Sequence, residues 1–253
     1  KPPKENIKPE KLEQLQRQRI KEIEDKYMEY TKELIHEIFN KQKTFFNSGV
    51  TLPIKYRIEA LKKLKTAVIK YQKEIELALY DDLGRDECEA YFCDIGTVIL
   101  EINEALHDIK RWAKPETHFS GIQCFPSLIT KVYKMPYGVT LIISPFNFPI
   151  LLSFGVLSAS IAAGNTAMIK CSSKSANCTR VMQKLIKETF PEEYITVIDG
   201  GHDVADYCLE EKVDKIFYTG SPNVAKHVME LASKNLTPVA SELGGETGNW
   251  AIV

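Results

Sequence analysis

Apolar positions along the chain change their spacing twice, and each change predicts a different kind of element. Ile20, Ile23, Tyr27, Tyr30, Leu34 and Ile38 recur at intervals of three and four, which lines one face of a helix. Around them, residues 1–40 carry nine Lys or Arg and nine Asp or Glu, so the opposite face is solvated. The stripe predicts an amphipathic helix packed on the domain. A short coiled coil or partner-binding helix is the alternative, but the run falls short of the three or four heptads a coiled coil requires. GVTLP at 49–53 interrupts the chain, and Pro53 suits the first turn of a second helix. Ile58, Leu61, Leu64, Val68, Tyr71, Ile75 and Leu79 give that helix its apolar stripe, and Gly84 ends it. A third helix is predicted from about Glu87 to Trp112, closed by Lys114-Pro115. Segment 118–136 shows short alternating runs broken by Gly and Pro, the pattern of an extended arm or hairpin.

Past Pro136, short β-branched runs alternate with helical patterns. Strands are predicted at Val139–Ser144, Thr166–Lys170, Ile195–Ile198, Lys215–Thr219 and Pro238–Glu242. Helices fall between them at 149–163, 175–189, 202–210 and 222–234. This alternation predicts an α/β fold built on a doubly wound parallel sheet. Residues 138–169 contain no charged side chain and are numerous enough to span a bilayer. Pro145, Asn147, Pro149, Gly155, Gly164 and Asn165 break that stretch, so a buried β–α–β core is expected and no membrane span.

Composition narrows the function classes. A net charge of −1 over 253 residues supplies no field for holding nucleic acid. Neither an RNA-recognition signature nor a paired-cysteine zinc motif occurs, so no nucleic-acid partner and no metal site are expected. Apolar content of 44% with 26% charged residues is that of a soluble globular protein. The six cysteines (Cys88, Cys93, Cys124, Cys171, Cys178 and Cys208) include no C-x-x-C pair and are scattered through the elements. Reduced thiols and a cytoplasmic location are therefore expected.

In parallel sheets of this kind ligands bind beyond the carboxyl ends of the strands, which directs attention to the residues there. The first strand leads into SPFNFP, residues 144–149. Asn147 at this exit can donate to an oxygen that develops charge, or simply cap the following helix. Lys170 stands at the tip of the second strand, able to bond ribose hydroxyls or a phosphate, or merely solvated. Gly220-Ser221 after the fourth strand offers backbone N–H groups to an anion, or an ordinary helix cap. No G-x-G-x-x-G and no G-x-x-x-x-G-K-[ST] loop occurs. Glu242 at the end of the fifth strand, if partly desolvated, acquires a raised pKa suited to general-base work; otherwise it pairs with a basic neighbour.

FNFP, IAAGNTAMIK, IFYTGS and ELGG, in this order and at these separations, resemble the aldehyde dehydrogenase family. The resemblance runs from about Phe45 to Val253, and FFNSGVTLP, YDDLGRDECEAYFCDIG and DGG resemble its class 3 branch. It implies a Rossmann-like sheet of the aldehyde dehydrogenase type with N-terminal helices and an extended β arm. The expected organisation is a helical extension at 1–40 and an NAD(P)-binding domain at 41–253. That domain would include a helical segment at 53–114 and an oligomerisation arm at 118–136, with a catalytic lobe following residue 253. The implied activity is oxidation of an aldehyde to a carboxylic acid with NAD or NADP, in a homodimer. A cysteine thiolate attacks the aldehyde, a hydride leaves to the cofactor, and the thioester is hydrolysed.

By resemblance, Asn147 stabilises the oxyanion and Glu242 activates the deacylating water. Lys170 bonds the adenosine ribose, and Gly220 and Ser221 open the helix near the pyrophosphate. Ser144, Pro145, Phe146, Ser173, Leu243 and Gly244 complete the expected cofactor-binding set. Several positions depart from the pattern: Phe146 for Trp, Cys171 for Pro, Ser173 for Glu, Ala225 for Gly and Glu246 for Lys. Ser173 removes a carboxylate that would disfavour a phosphorylated ribose, which admits NADP. The family's nucleophile lies about thirty residues past the glutamate, whereas all six cysteines here precede Glu242. The chain by itself is therefore expected to lack turnover. A non-catalytic dinucleotide-binding or assembly module is the alternative.

Overall fold

The computed structural model describes residues 29–127 and 129–244. The chain divides at Tyr30 into two units. Of the first, Glu29 and Tyr30 are described, neither of them helical; Ile20, Ile23 and Tyr27 of the predicted stripe lie outside the described residues. The second unit, from Thr31, carries the fold.

Helix α1 spans Lys32–Asn47. Thr31 starts it in an extended conformation, its hydroxyl accepting from the Leu34 N–H at 3.3 Å. This cap corrects the predicted helix through Tyr30, and the boundary expected at residue 40 falls inside α1. Its inward face is Ile35, Ile38, Phe39 and Gln42, so Ile38 of the predicted stripe is buried while Leu34 is only half-buried. The helix predicted after Pro53 is two helices, α2 (Ile54–Lys70) and α3 (Gln72–Leu83), broken at Tyr71 with φ −92° and ψ 5°. The break leaves the stripe intact: Leu61, Leu64, Val68, Tyr71, Ile75 and Leu79 are all buried. Gly84, left-handed at φ +70°, ends α3. A short α4 (Glu87–Ala90) runs through a π-helical turn (Tyr91–Ile95) into α5 (Gly96–Trp112). The expected arm is a hairpin, β1 (Glu116–Phe119) antiparallel to β2 (Ile129–Val132), exposed along both strands.

The remaining elements alternate: β3 (Val139–Ile143), α6 (Leu151–Ala163), β4 (Thr166–Lys170), α7 (Ala176–Thr189) and β5 (Ile195–Ile198). Then follow α8 (His202–Glu210), β6 (Lys215–Gly220), α9 (Pro222–Ser233) and β7 (Val239–Leu243). The five strands form one parallel sheet in the order β5-β4-β3-β6-β7. Strand order therefore reverses between β3 and β6, the topological switch point of a doubly wound sheet.

Both faces are covered, which is why the strands read as nearly continuous apolar runs. On one face Ile142, Ala167, Ile169, Ile195 and Val197 join the core formed with α6 and α7, over which α2, α3 and α5 pack. On the other face lie α1 and α8. Burying each of these Leu, Ile and Val side chains stabilises the fold by roughly 1.5–3 kcal/mol. The charge-free stretch 138–169 is resolved into β3, a loop, α6 and β4. Among the described residues no helix is long and apolar enough to cross a membrane.

Polar anchors fix the layers. Gln42 of α1 donates to the Ala167 carbonyl of β4 at 2.9 Å. The buried Arg57 guanidinium donates to the carbonyls of Thr51 at 2.9 Å, Leu52 at 2.7 Å and Ala162 at 3.2 Å. It thereby binds the 49–53 turn to the end of α6.

Candidate functional site

A groove of about 640 Å³ runs along the carboxyl edge of the sheet, across the switch point. Its floor is Ile143 and Ser144 from β3, Lys170 and Cys171 from β4, Gly200 and Gly201 after β5, and Tyr218, Thr219 and Gly220 from β6. Ala205 and Leu209 of α8 and Val224 and Val228 of α9 contribute an apolar wall.

At the first strand end, the Ser144 N–H donates to the Lys170 carbonyl at 3.1 Å and its hydroxyl accepts from Ser153 at 2.8 Å. Pro145 and Phe146 line the groove, and the Lys174 ammonium sits 5.1 Å from the Phe146 ring centroid. Asn147 is exposed and outside the lining. Its carbonyl accepts from Arg85 at 2.6 Å, and the same guanidinium stacks 4.5 Å from the Phe148 ring centroid. Arg85 in turn pairs with Asp94, which is fully buried in the π-helical turn. Asp94 accepts from the N–H groups of Ile150 at 3.1 Å and Leu151 at 2.9 Å, capping α6. Burial pushes the Asp94 carboxyl up from the ordinary carboxylate range, and the Leu151 N–H and Arg85 pull against that rise.

Helix α7 is capped in the same way. Asp82 accepts from the backbone N–H of Asn177 at 3.2 Å and of Cys178 at 2.8 Å, and from the Asn177 amide at 2.8 Å. Two helix N-termini at the carboxyl edge are thus filled by the protein's own carboxylates. At α8, Gly201 gives no side-chain cap, but Asp203 stands in the first turn. At α9, Ser221 accepts from the Val224 N–H at 3.4 Å and no acidic residue occupies the first turn. The positive end of α9 is therefore the one left for an external anion.

Lys170 is 4% exposed. It donates to the carbonyls of Cys171 at 2.6 Å and Gly200 at 2.7 Å, which leaves one ammonium proton for a ligand. Burial lowers its pKa below the ordinary lysine value. Beside it the buried Cys171 thiol is pushed up to about 11 by desolvation, the opposite of an activated nucleophile. Gly200 holds φ +124°, and a Cβ there would meet Val204 at 2.5 Å, so the turn that accepts from Lys170 requires glycine.

Of the sequence-predicted set, Ser144, Pro145, Phe146, Lys170, Ser173, Gly220 and Ser221 come together in the groove. Asn147, Glu242, Leu243 and Gly244 do not line it. Glu242 is paired in register with Thr219 on the edge strand β7 and is exposed. Sequence reasoning overlooked Gly200, Gly201, His202, Asp206, His227 and Tyr218, all in the lining. For the first two a signal is present: Asp199-Gly200-Gly201 directly follows the third strand, where ligands bind in sheets of this kind. Among the described residues no cluster of three or more His, Cys, Asp or Glu side chains is placed to hold a metal.

A five-stranded parallel sheet of this order, with a groove at its switch point, defines a doubly wound α/β protein with a Rossmann-like fold. The model of the aldehyde dehydrogenase family matches residues 8–253, and the chain belongs to that family. The 4,4'-diaponeurosporen-aldehyde dehydrogenase of Staphylococcus aureus is 44% identical over 85% of this chain and 46% of its own length. Aldehyde dehydrogenase family 3 member F1 of Arabidopsis thaliana is 36% identical over 87% of this chain and 45% of its own, which bears out the class 3 resemblance. A substrate-bound structure of Staphylococcus aureus AldH superimposes with a TM-score of 0.82 at 42% identity, covering 86% of this chain and 46% of that one. The chain thus spans about half the length of the relatives it matches. Members of the family use NAD or NADP.

Proposed function

We propose that the chain forms the cofactor-binding half of an NAD(P)-dependent aldehyde dehydrogenase. The groove carries this reading: it lies at the switch point, and α9 is the helix start there without a carboxylate of its own. When bound, NAD(P)+ supplies the hydride acceptor. The pyrophosphate would be received by Gly220, Ser221 and the start of α9, and the adenine by the apolar wall from α8 and α9. Lys170 offers its remaining proton to the adenosine ribose, held in place by the carbonyls of Cys171 and Gly200.

Asn147 would donate its amide to the oxyanion formed when a cysteine thiolate attacks the aldehyde. Its backbone is fixed from behind by Arg85 and Asp94. Glu242, on the edge strand, would take a proton from the water that hydrolyses the thioester. That thiolate is assigned to a lobe outside this chain, since the buried, poorly acidic Cys171 is unsuited to the role. The 253-residue chain by itself is accordingly proposed not to turn over. The exposed apolar side chains of the hairpin (Phe119, Ile122, Phe125 and Ile129) favour a homodimer. Six unpaired cysteines fit a reducing compartment such as the cytoplasm.

Calorimetric titration of the purified protein with NAD+ and NADP+ tests the reading. Binding of at least one in the low micromolar range, with no aldehyde-dependent NAD(P)H formation, is expected. A stable oligomer by light scattering that binds neither dinucleotide would refute the enzyme-half reading in favour of an assembly module.

A further inference from the structure

Tyr218 is buried near the end of β6, and its side chain reaches the turn into α9. Its hydroxyl donates to the Ser221 carbonyl at 3.2 Å. The same carbonyl accepts from the Ala225 N–H at 3.0 Å, the first bond of α9, so both of its lone pairs are engaged. Ser221 stands at φ −74° and ψ 149°, the extended region that a following proline allows. Within that region the two donors fix the plane of the Ser221–Pro222 peptide. That plane matters because the helix start is short of donors. Pro222 has no N–H, the Val224 N–H is taken by the Ser221 hydroxyl, and the Ala225 N–H by the Ser221 carbonyl. The Asn223 N–H is the first-turn donor with no partner among the described residues.

The phenol also meets Gly220. A Cβ built there would lie 2.3 Å from the Tyr218 hydroxyl oxygen and 2.8 Å from its Cζ, so the turn and the ring approach as closely as glycine permits. Tyr218 cannot follow the turn if the turn moves, because its backbone is in register with Ile143 of β3 and Ser241 of β7. Burial lifts the phenol above its ordinary value while its bonds to Ser221 pull against that rise; the hydroxyl keeps its proton at neutral pH and can donate. We propose that Tyr218 is a positioning residue for the pyrophosphate. Its hydroxyl, set against Gly220 and bonded to Ser221, directs the Asn223 N–H toward the phosphate oxygens. The proposal rests on the dinucleotide reading of the groove. Tyr218 acts through Ser221, so its removal should weaken the phosphate contact and spare the adenosine end.

Calorimetry with ADP-ribose and NMR titration with adenosine separate the two ends of the ligand. Tyr218→Phe should weaken ADP-ribose about fourfold, the effect of one lost neutral hydrogen bond, and leave adenosine unchanged. Gly220→Ala drives a methyl group against the phenol and should also weaken ADP-ribose. Combined with Tyr218→Phe it should cost less than the product of the two separate losses, because the hydroxyl is the nearest atom the methyl meets. Circular dichroism melting confirms that the variants are folded. If Tyr218→Phe leaves ADP-ribose binding unchanged, or weakens adenosine by the same factor, the positioning role is overturned and the dinucleotide groove stands. Independent losses in the double variant overturn it too, on ADP-ribose alone. If the parent does not bind ADP-ribose, the dinucleotide reading falls and the positioning role with it.

Discussion

Replacing Asp94 with alanine is the most direct probe of how the loop between β3 and α6 is held. The carboxylate is fully buried, and its partner Arg85 has a side chain only 10% exposed. Removing it leaves a largely buried guanidinium with the Asn147 carbonyl, the Phe148 ring and a 3.5 Å contact to Glu89, and leaves the N–H groups of Ile150 and Leu151 without their acceptor. Breaking a buried pair from one side costs roughly 3–5 kcal/mol. That is a large part of the roughly 5–15 kcal/mol that holds an ordinary domain together. Asp94→Asn keeps an oxygen for the two N–H groups and loses only the charge, for about 1–3 kcal/mol. The double variant Arg85→Met with Asp94→Leu should recover part of the alanine loss, because an apolar pair of similar volume removes the unpaired charge. Urea denaturation at constant slope reads these differences, and hydrogen exchange at Ile150 and Leu151 reports the loop directly. An alanine variant within about 1 kcal/mol of the parent would refute the clamp. An asparagine variant as unstable as the alanine one would refute the capping role.

Two further outcomes follow from burial at the end of β4. Iodoacetamide at pH 8 should modify the exposed Cys88 and Cys124 quickly and Cys171 slowly, since its thiol is buried and pushed up to about 11; rapid modification of Cys171 in folded protein, read by peptide mass, would contradict its placement. Lys170 titrates below its ordinary 10.5, so the native state releases that proton at lower pH than the unfolded chain. Stability attributable to Lys170 therefore rises with pH from the lowered native value up to 10.5, and parallel stability–pH profiles for the parent and Lys170→Met would refute this.

Most of the sheet was legible in the sequence because both of its faces are covered. Continuous β-branched runs such as Val139–Ile143 then announce strands directly, and helical spacing fills the intervals. The helices before the sheet were less readable. The stripe from Leu61 to Leu79 keeps its spacing across Tyr71, so periodicity alone could not reveal that the hydrogen-bonded helix breaks there. Likewise the Thr31 cap, a single hydroxyl, overrides an apolar spacing that continues on either side of it. The site was half legible. Strand-end rules found Lys170, Gly220 and Ser221, but the capping of α6 by Asp94 and of α7 by Asp82 joins residues 56 and 95 positions apart. No local pattern carries such a pairing. Without it, the two filled helix termini would both look open to a phosphate.

The helical layer that covers one face of the sheet has a consequence for how the chain comes into being. Helices α2, α3 and α5 leave the ribosome before β3, and well before β5, against whose layer they pack. At roughly 5–20 residues per second, their apolar stripes wait on the order of ten seconds for the strands that complete the core. Leu61, Leu64, Ile75 and Leu79, all fully buried in the finished protein, are in that interval the surface a nascent chain presents to chaperones and to its neighbours on the polysome.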